Sequence, residues 1–492
     1  MTKQTHFRTA EAMSEGNKSL PFGIIAAVRA GFRRLGLYEL FDSMKMRGVP
    51  LSFVIELMCI DHLSGGGSMN SCATYVDNDL VRDELCHGER ISRKTMERAL
   101  PIMSLYLEDV LMHIWERLNS IYPDLDHDTY VDGSHLERFG KCRGPYTKYG
   151  EGGGTIQAQD QFMLAQLKDS GLPIFIEAYD GNLNDPTQYS DFIPQLMRVL
   201  KRGSMIIMDN GGAAKHILDE IVDYGDEYLT RVKMNQSDID RILNERSSIR
   251  YVAEGTACIK HSFQSSGRTT YLFFSLKLYL KGMICAERKA QRMMDYLIDA
   301  KEFSKDPKPE KLVTVKRNPF YKVKNIRLDF EMTLDPWLEG SLEDAIGQTA
   351  GDVCGWFKLQ CSKDMDPKKV LDIYRHRSNI EHMISSIKRI VNMKPLRVWA
   401  ENSPRGAMLL GLISQLVVSM IRYDLEPDKA VKKVEGKIIT VDHKPSIATI
   451  TKELRQWTVV LIPTEGFGVE RIFTNETPLT KRISVILDGY RG

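Results

Sequence analysis

The stretch PKKVLDIYRHRSNIEHMISSIKRIV, residues 367–391, carries the most information about the architecture of this chain. Its apolar residues recur at helical spacing, which predicts one long helix opened by Asp366-Pro367. Four polar residues share a stripe about 60° wide beside the apolar stripe, at about 100° per residue: Tyr374, Arg377, Glu381 and Lys388. Either they form an ordinary salt-bridge lattice, with Arg377 and Glu381 as an i,i+4 pair, or they mark the edge of a cleft.

Two upstream aspartates favour the cleft. Asp132 lies in the predicted strand TYVDGSH, and Asp209 ends the apolar strand SMIIMD just before a glycine pair. A carboxylate at the carboxyl end of an apolar strand suits a site better than a core. Carboxylates from adjacent elements could hold two Mg²⁺ ions for phosphoryl transfer. Asp128 shares the face of Asp132 by the period of two and is the alternative ligand.

Together these residues follow the order Asp132, Asp209, Tyr374-x2-Arg377-x3-Glu381-x6-Lys388. This pattern resembles the DDE transposases of bacterial insertion sequences, in particular the cut-and-paste group that bears a Y-x2-R-x3-E-x6-K signature. The run GLPIFIEAYDGNLND at 171–185 also resembles this group, and the resemblance covers about 126–424. The separation of Asp209 from Glu381 is far longer than an ordinary loop. It also fits the resemblance, because this group has a ribonuclease H-like fold that a mostly β insertion interrupts at that point.

The resemblance implies that Asp132, Asp209 and Glu381 are catalytic metal ligands for two Mg²⁺ ions, with Mn²⁺ as a substitute. It implies that Tyr374, Arg377 and Lys388 hold the DNA backbone. The expected partners are double-stranded DNA, as terminal inverted repeats and target DNA, and a second copy in a homodimeric synaptic complex. The expected location is the cytoplasm, at the nucleoid. Trp337 and Trp356 are candidates for stacking a flipped base, although core packing is the better interpretation of both.

The segment RFGKCRGPYTKYG at 138–150 is a further candidate for DNA binding. It carries four cations and no acid, with aromatic residues between them: Arg138, Lys141, Arg143 and Lys148. It could grip DNA or be a solvated loop. His135 is better interpreted as a hydrogen-bonding strand residue than as a metal ligand.

The predicted fold is a multidomain α/β protein with a ribonuclease H-like mixed sheet and flanking helices. The predicted regions are a helical N-terminal, DNA-end-binding domain (1–120), a first core part (121–235), a β-rich insertion (236–352), a second core part (353–424) and a tail (425–492). Strands are predicted at 156–168, 172–179, 227–233 and 269–280, and a helix at 187–201. The apolar run 406–421 predicts a buried core helix rather than a membrane span.

In the N-terminal region, Ser92 is predicted to cap a short helix that ends before Pro101, and a longer helix follows over 102–118. This pair fits either a helix-turn-helix or a plain helical bundle. In the tail, one short helix is predicted from Ser446, together with several strands.

Composition excludes disordered, collagen-like and coiled-coil classes, because 42% of the 492 residues are hydrophobic and 27% charged. The formal net charge is only +2, from 67 Lys and Arg against 65 Asp and Glu. From Lys358 to Arg405, however, the sequence contains eleven Lys or Arg residues and only five Asp or Glu residues. Phosphate contacts are local, so a basic groove suffices for DNA binding. Two alternative functions stay open: another ribonuclease H-like nuclease, and a catalytically inactive DNA-binding derivative.

Overall fold

The structure is a computed structural model. It describes residues 17–45, 47–66, 68–138, 144–152, 155–262, 267–305, 321–323, 332–334, 346–347, 350–391, 402–434, 437–464 and 468–489.

The helices in chain order are α1 (Phe22–Leu35), α2 (Leu37–Ser43), α3 (Leu51–Ser64), α4 (Met69–Tyr75), α5 (Asp79–Leu85), α6 (Arg93–Leu105), α7 (Leu107–Ile121), α8 (Asp185–Val199), α9 (Lys215–Tyr224), α10 (Gln236–Asn244), α11 (Leu276–Lys305), α12 (Pro367–Arg375), α13 (Ser378–Arg389), α14 (Ser403–Asp424), α15 (Ile447–Gln456) and α16 (Pro478–Gly489).

The strands are β1 (Lys18–Leu20), β2 (Thr129–Glu137), β3 (Lys148–Gly152), β4 (Thr155–Leu167), β5 (Pro173–Asp180), β6 (Met205–Met208), β7 (Glu227–Val232), β8 (Arg250–Ala253), β9 (Thr256–Ser262), β10 (Thr269–Ser275), β11 (Tyr321–Val323), β12 (Met332–Leu334), β13 (Trp356–Cys361), β14 (Asp428–Val434), β15 (Lys437–His443), β16 (Thr458–Thr464) and β17 (Gly468–Thr474).

The chain divides into two compact units. The first contains Met1–Tyr228 and Arg375–Gly492, and the second contains Leu229–Tyr374. The chain therefore leaves the first unit within β7 and returns to it at the end of α12. The domain boundaries predicted from the sequence stay predictions.

The first unit contains a mixed sheet. Strand β2 pairs antiparallel with β4 along its whole length and parallel with β6 through Thr129 and Tyr130. Strand β4 is long because both β3 and β5 pair with it, β3 near its start and β5 further along. Helix α13 packs on β2 and β4, and α8 packs on β4 and β5. The sequence predicted β2, β4, β5, β6 and α8 correctly, because their apolar runs are bounded by clear turn residues, but it did not predict β3.

Helix α14 forms the core of the first unit. It packs against α1, α3, α6, α15 and strand β5, and its residues from Ser403 to Ile421 are buried except Arg405. Close packing requires Gly406, because a Cβ there would lie 2.1 Å from the carbonyl oxygen of Leu100. Among the described helices, α14 is the one long and apolar enough to span a membrane, and 89% of its most apolar window is buried inside the protein. The predicted core helix is thus confirmed.

A fully buried carboxylate joins the N-terminal helices of this unit. Glu56 on α3 accepts hydrogen bonds from Arg29 Nε at 2.7 Å and the Tyr38 hydroxyl at 2.5 Å, and His87 Nε2 lies 3.2 Å away. Its burial would raise the pKa of Glu56, but the hydrogen bonds and the Arg29 charge hold that pKa below its usual value.

The second unit contains an antiparallel sheet in which Leu229–Val232 of β7 pair with β13, followed in order by β10, β9 and β8. Trp356 packs against the apolar cluster of Ile242, Ile259 and Leu272, which agrees with the core interpretation; Trp337 lies outside the described residues. The predicted strand at 269–280 is wrong beyond Ser275, where the 30-residue helix α11 begins. The segment predicted to be β-rich therefore also contains a long helix.

Three further local predictions were wrong. The helix that Ser92 caps continues through Pro101 to Leu105, because the proline lies inside it without ending it. The segment 367–391 forms two helices, α12 and α13, rather than one. The tail contains α16 in addition to the predicted helix that begins after Ser446.

Candidate active site

Two predicted carboxylates lie at the same edge of the mixed sheet. Asp132 is on β2, and Asp209 directly follows β6, the parallel neighbour of β2. The parallel register pairs Thr129 with Ile206 and Tyr130 with Ile207, and the same register two residues further on places Asp132 level with Asp209, 77 positions away in the sequence. This placement agrees with the strand contexts predicted from the sequence.

Asp209 is held in one orientation by its neighbours. Its Oδ1 accepts a hydrogen bond from the Gly211 amide at 2.8 Å and another from the Tyr189 hydroxyl at 3.1 Å. Tyr189 is buried on α8, and burial together with the Asp209 charge raises its pKa well above the usual value, so the hydroxyl stays protonated and donates. A Cβ at Gly212 would lie 3.0 Å from the Tyr189 ring and closer still to Met208, which explains the second glycine after Asp209.

Arg377 joins the other two acidic positions. A turn at His376 and Arg377 separates α12 from α13. From this turn the Arg377 guanidinium reaches β2 of the sheet. Its Nη1 donates to Asp132 Oδ2 at 3.0 Å, and its Nη2 donates to Glu381 Oε1 at 2.7 Å. The predicted Arg377–Glu381 pair is present, and the same guanidinium also contacts Asp132.

Negative charge crowds this edge of the sheet. Burial raises the pKa of Asp132 to about 6; the Arg377 charge opposes that rise, and the charges of Asp209 and Glu381 add to it. Partial burial and the Asp209 charge also raise the pKa of Asp185, in the first turn of α8. A site that gathers carboxylates against their mutual repulsion is typical of functional positions.

Lys388 lies beside this group. Its Nζ donates to Ser134 Oγ at 2.6 Å and stands 5.9 Å from the centre of the Phe162 ring. Tyr374 is the last residue of the second unit. Asp128, the alternative ligand, is engaged elsewhere, since its carboxylate accepts from Lys168 Nζ and the Met205 amide.

The carboxylate oxygens fit a hard divalent cation in their chemistry. Across the residues that the structure describes, no group of three or more His, Cys, Asp or Glu side chains is arranged to hold a metal ion. In this structure the Arg377 guanidinium contacts one carboxylate oxygen of Asp132 and one of Glu381. Asp132 and Asp209 are therefore the pair best placed to receive a metal, and Glu381 could join them once Arg377 releases it.

The structure corrects one candidate of the 138–150 segment. Arg138 is buried and donates to Asp160 through Nε and Nη2, so in this structure its guanidinium is bound within the protein rather than exposed to solvent. Asp160 also accepts from Thr147, which closes this buried cluster. Lys148 is exposed on β3, as DNA binding would require. Lys141 and Arg143 lie outside the described residues.

Sequence reasoning missed Tyr189 and Ser134. Tyr189 lies in the predicted helix at 187–201, where an aromatic residue at a buried position is typical of core packing. The glycine pair after Asp209 was the available signal, because small residues there leave room for a large neighbour. Ser134 carried no signal in the sequence.

A comparison with known proteins identifies the family of the chain. Residues 128–416 match the family model described as the transposase DDE domain, which is more than half of the chain. The chain belongs to the transposases with a DDE domain, a family of enzymes that in general cleave and transfer DNA strands.

No curated protein matches the chain. Among solved structures, it is similar to the piggyBac transposase synaptic complex with hairpin DNA, with 11% identity, a TM-score of 0.40, and coverage of 89% of this chain and 79% of that one. It is also similar to the Mos1 transposase paired-end complex with left transposon end, with 14% identity, a TM-score of 0.15, and coverage of 37% and 60%. At such TM-scores neither similarity bears on function.

Proposed function

We propose that this transposase moves a bacterial insertion sequence by cut-and-paste transposition. It would bind the terminal inverted repeats of the element, cleave the DNA there in a Mg²⁺-dependent reaction, and join the freed ends to target DNA. The observation that carries the proposal is the pairing of Asp132 and Asp209 at one edge of parallel strands β2 and β6. In a DDE-domain transposase, we expect the phosphate that reacts to bind next to this pair of carboxylates.

Asp132, Asp209 and Glu381 would hold the divalent metals, two Mg²⁺ ions with Mn²⁺ as a substitute. When bound, these ions activate the attacking oxygen and stabilise the leaving one. Burial and the neighbouring charges of Asp209 and Glu381 raise the pKa of Asp132, and this supports the assignment because a bound cation would favour the ionised carboxylate. Tyr189 would keep Asp209 in its ligating orientation through the hydroxyl bond to Oδ1.

The cations beside the carboxylates would position the DNA backbone. Arg377 presents a planar fork that suits a phosphate as well as a carboxylate, so a DNA phosphate can compete for it and free Glu381. Lys388 acts as a point charge whose ammonium is held by Ser134. Tyr374 and the exposed Lys148 would contact the backbone further along. The enzyme would act as a homodimer that brings two ends together, at the nucleoid in the cytoplasm.

The test uses the full chain, a donor plasmid with the flanking inverted repeats, a target plasmid and Mg²⁺. Wild type should cleave the ends and join them, and Asp209→Asn should lower cleavage by about a hundredfold or more, as for the loss of a central catalytic group. The matched control is Glu220→Gln, an exposed carboxylate on α9, which should cleave normally. Unchanged cleavage in Asp209→Asn would refute the proposed ligand set. Nicks without joining would indicate a plain nuclease, and binding without cleavage would indicate an inactive DNA-binding derivative.

A further inference from the structure

A polar cavity of about 570 Å³ lies in the first unit, on another face of α13. It is lined by the end of β4 and the turn after it, by α13, by α14 and by the start of α15. Its α13 residues His382 and Arg389 lie about 80–100° around the helix from Glu381, at about 100° per residue, whereas Lys388 stays close to Glu381. The volume is within the range of ligand pockets, roughly 300–1,000 Å³.

Three cations line the cavity, Lys168, Arg389 and Arg422, against one acid, Asp169, which lies 3.8 Å from Lys168. Arg422 on α14 is half-buried, and its Nε donates to the Pro445 carbonyl oxygen at 3.1 Å. Burial lowers its pKa, and no carboxylate pairs with it in the part of the chain that the structure describes. Arg389 is exposed and likewise forms no ion pair with a described residue. By contrast, Lys168 is already neutralised by Asp126 and Asp128. Two guanidinium groups are thus available to an anion.

Two further features indicate a ligand. Ile447 and Ala448 line the cavity at the first turn of the ten-residue helix α15, where backbone amides lack intrahelical acceptors and attract anions. Gln166 is only 4% exposed and lines the same cavity, and its Oε1 is buried without a hydrogen-bond partner among the described residues. A buried acceptor without a donor is costly, so it would be satisfied by a donor group that enters with the anion.

We propose that this cavity is a second DNA contact, separate from the carboxylate pair, which binds a backbone phosphate between Arg389, Arg422 and the start of α15. The neighbouring nucleotide would offer a base amino group to Gln166. The inference rests on the proposed function only in taking DNA as the source of the phosphate. It also gives the tail a role, because Ser446, Ile447 and Ala448 complete the cavity wall.

The experiment measures two kinds of binding to the full chain. Inorganic phosphate is titrated calorimetrically, and a short random-sequence DNA duplex is titrated at several salt concentrations. The variants are Arg389→Ala, which removes an exposed side chain, and Arg422→Gln, which removes a half-buried charge and is checked for folding by thermal melting. The matched control is Arg198→Ala, an exposed arginine near the end of α8.

Each variant should weaken phosphate binding about tenfold or more, as expected for a charged hydrogen bond, and lower the slope of log K against log salt by about one. The Arg198→Ala protein should keep wild-type phosphate binding. Phosphate binding that survives both cavity variants, or that falls equally in the control, overturns the site. Lost phosphate binding with an unchanged DNA salt slope overturns the DNA assignment and leaves a site for free phosphate.

Failure of the proposed function would be visible separately. Asp132→Asn should abolish cleavage and leave phosphate binding to the cavity unchanged. If Asp132→Asn cleaves normally, the active-site assignment fails while the cavity measurement still stands.

Discussion

Of two carboxylates in the first unit, Glu56 is fully buried and Asp132 is mostly buried, and their surroundings shift their pKa values in opposite directions. Glu56 receives hydrogen bonds from Arg29 and Tyr38 beside His87, and its pKa is lowered. Asp132 has one cationic partner, Arg377, and faces Asp209 and Glu381, and its pKa is raised to about 6. The first arrangement stabilises the ionised form and ties helices together. The second keeps an unfavourable charge where a cation can bind, which is typical of a site rather than a core.

The largest effect on stability is expected from Glu56→Ala. It removes the buried carboxylate and leaves its partly buried partners Arg29 and Tyr38 without their acceptor, which should lower the free energy of unfolding by about 3–5 kcal/mol. Urea denaturation measures this change, and Glu39→Ala, an exposed carboxylate on α2, should shift it by less than about 0.5 kcal/mol. Equal losses in the two variants would show that the Glu56 network does not stabilise the fold.

Asp132→Asn should instead raise the free energy of unfolding at pH 7. Because the folded-state pKa of Asp132 lies above its unfolded value, ionising Asp132 costs stability as pH rises from about 4 to about 6. The asparagine variant should therefore be more stable than wild type at pH 7, by up to about 3 kcal/mol. The two proteins should converge in stability near pH 4. A variant less stable than wild type at pH 7 would contradict the crowding of charge around Asp132.

Addition of Mg²⁺ should stabilise the protein through the site of Asp132 and Asp209, independently of the Glu56 network. Binding to the folded state alone stabilises by about 2.7 kcal/mol at a hundredfold excess over Kd. Thermal melting should thus show a rise in Tm with Mg²⁺ for wild type that Asp209→Asn loses. Glu56→Gln serves as the control and should keep the rise, from its own lower starting Tm. An equal rise in wild type and Asp209→Asn would place the metal elsewhere.

The smallest effect is expected from Tyr189→Phe. It removes the hydroxyl that donates to Asp209 and leaves the ring in place, which should lower the free energy of unfolding by about 1 kcal/mol. Cleavage should fall about tenfold, the smaller end of the loss expected when a residue that orients a metal ligand is changed. The measurement is cleavage against Mg²⁺ concentration, where the curve should move to higher Mg²⁺. Tyr179→Phe, which removes a hydroxyl from Asp191 instead, should leave the curve unchanged.

The sequence predicted the elements whose patterns are local. Strands β2, β4, β5 and β6 follow apolar runs with sharp ends, and so they place Asp132 and Asp209 correctly. The break at His376 and Arg377 escaped prediction, because the apolar periodicity runs through it without a glycine or proline. Likewise LKLYL at 276–280 alternates like a strand but begins α11, so local alternation alone was misleading there.

Ion pairs between residues far apart in the sequence were also not predicted. The sequence suggested Arg138 as a DNA-binding cation. In the structure Arg138 is buried and forms an ion pair with Asp160 on the paired strand β4. Arg377 reaches Asp132 across 245 positions of sequence. Both pairings depend on strand register and on a turn between helices, which composition and spacing do not encode.

The first unit is discontinuous in sequence, and this has a consequence for synthesis of the protein. Its central helix α14 begins at Ser403, after the whole of the second unit. A ribosome will have made α1, α3 and α6 long before the helix that they pack against emerges. Until then the parts of their surfaces that contact α14 lack that partner, so the core of the first unit is completed late in translation.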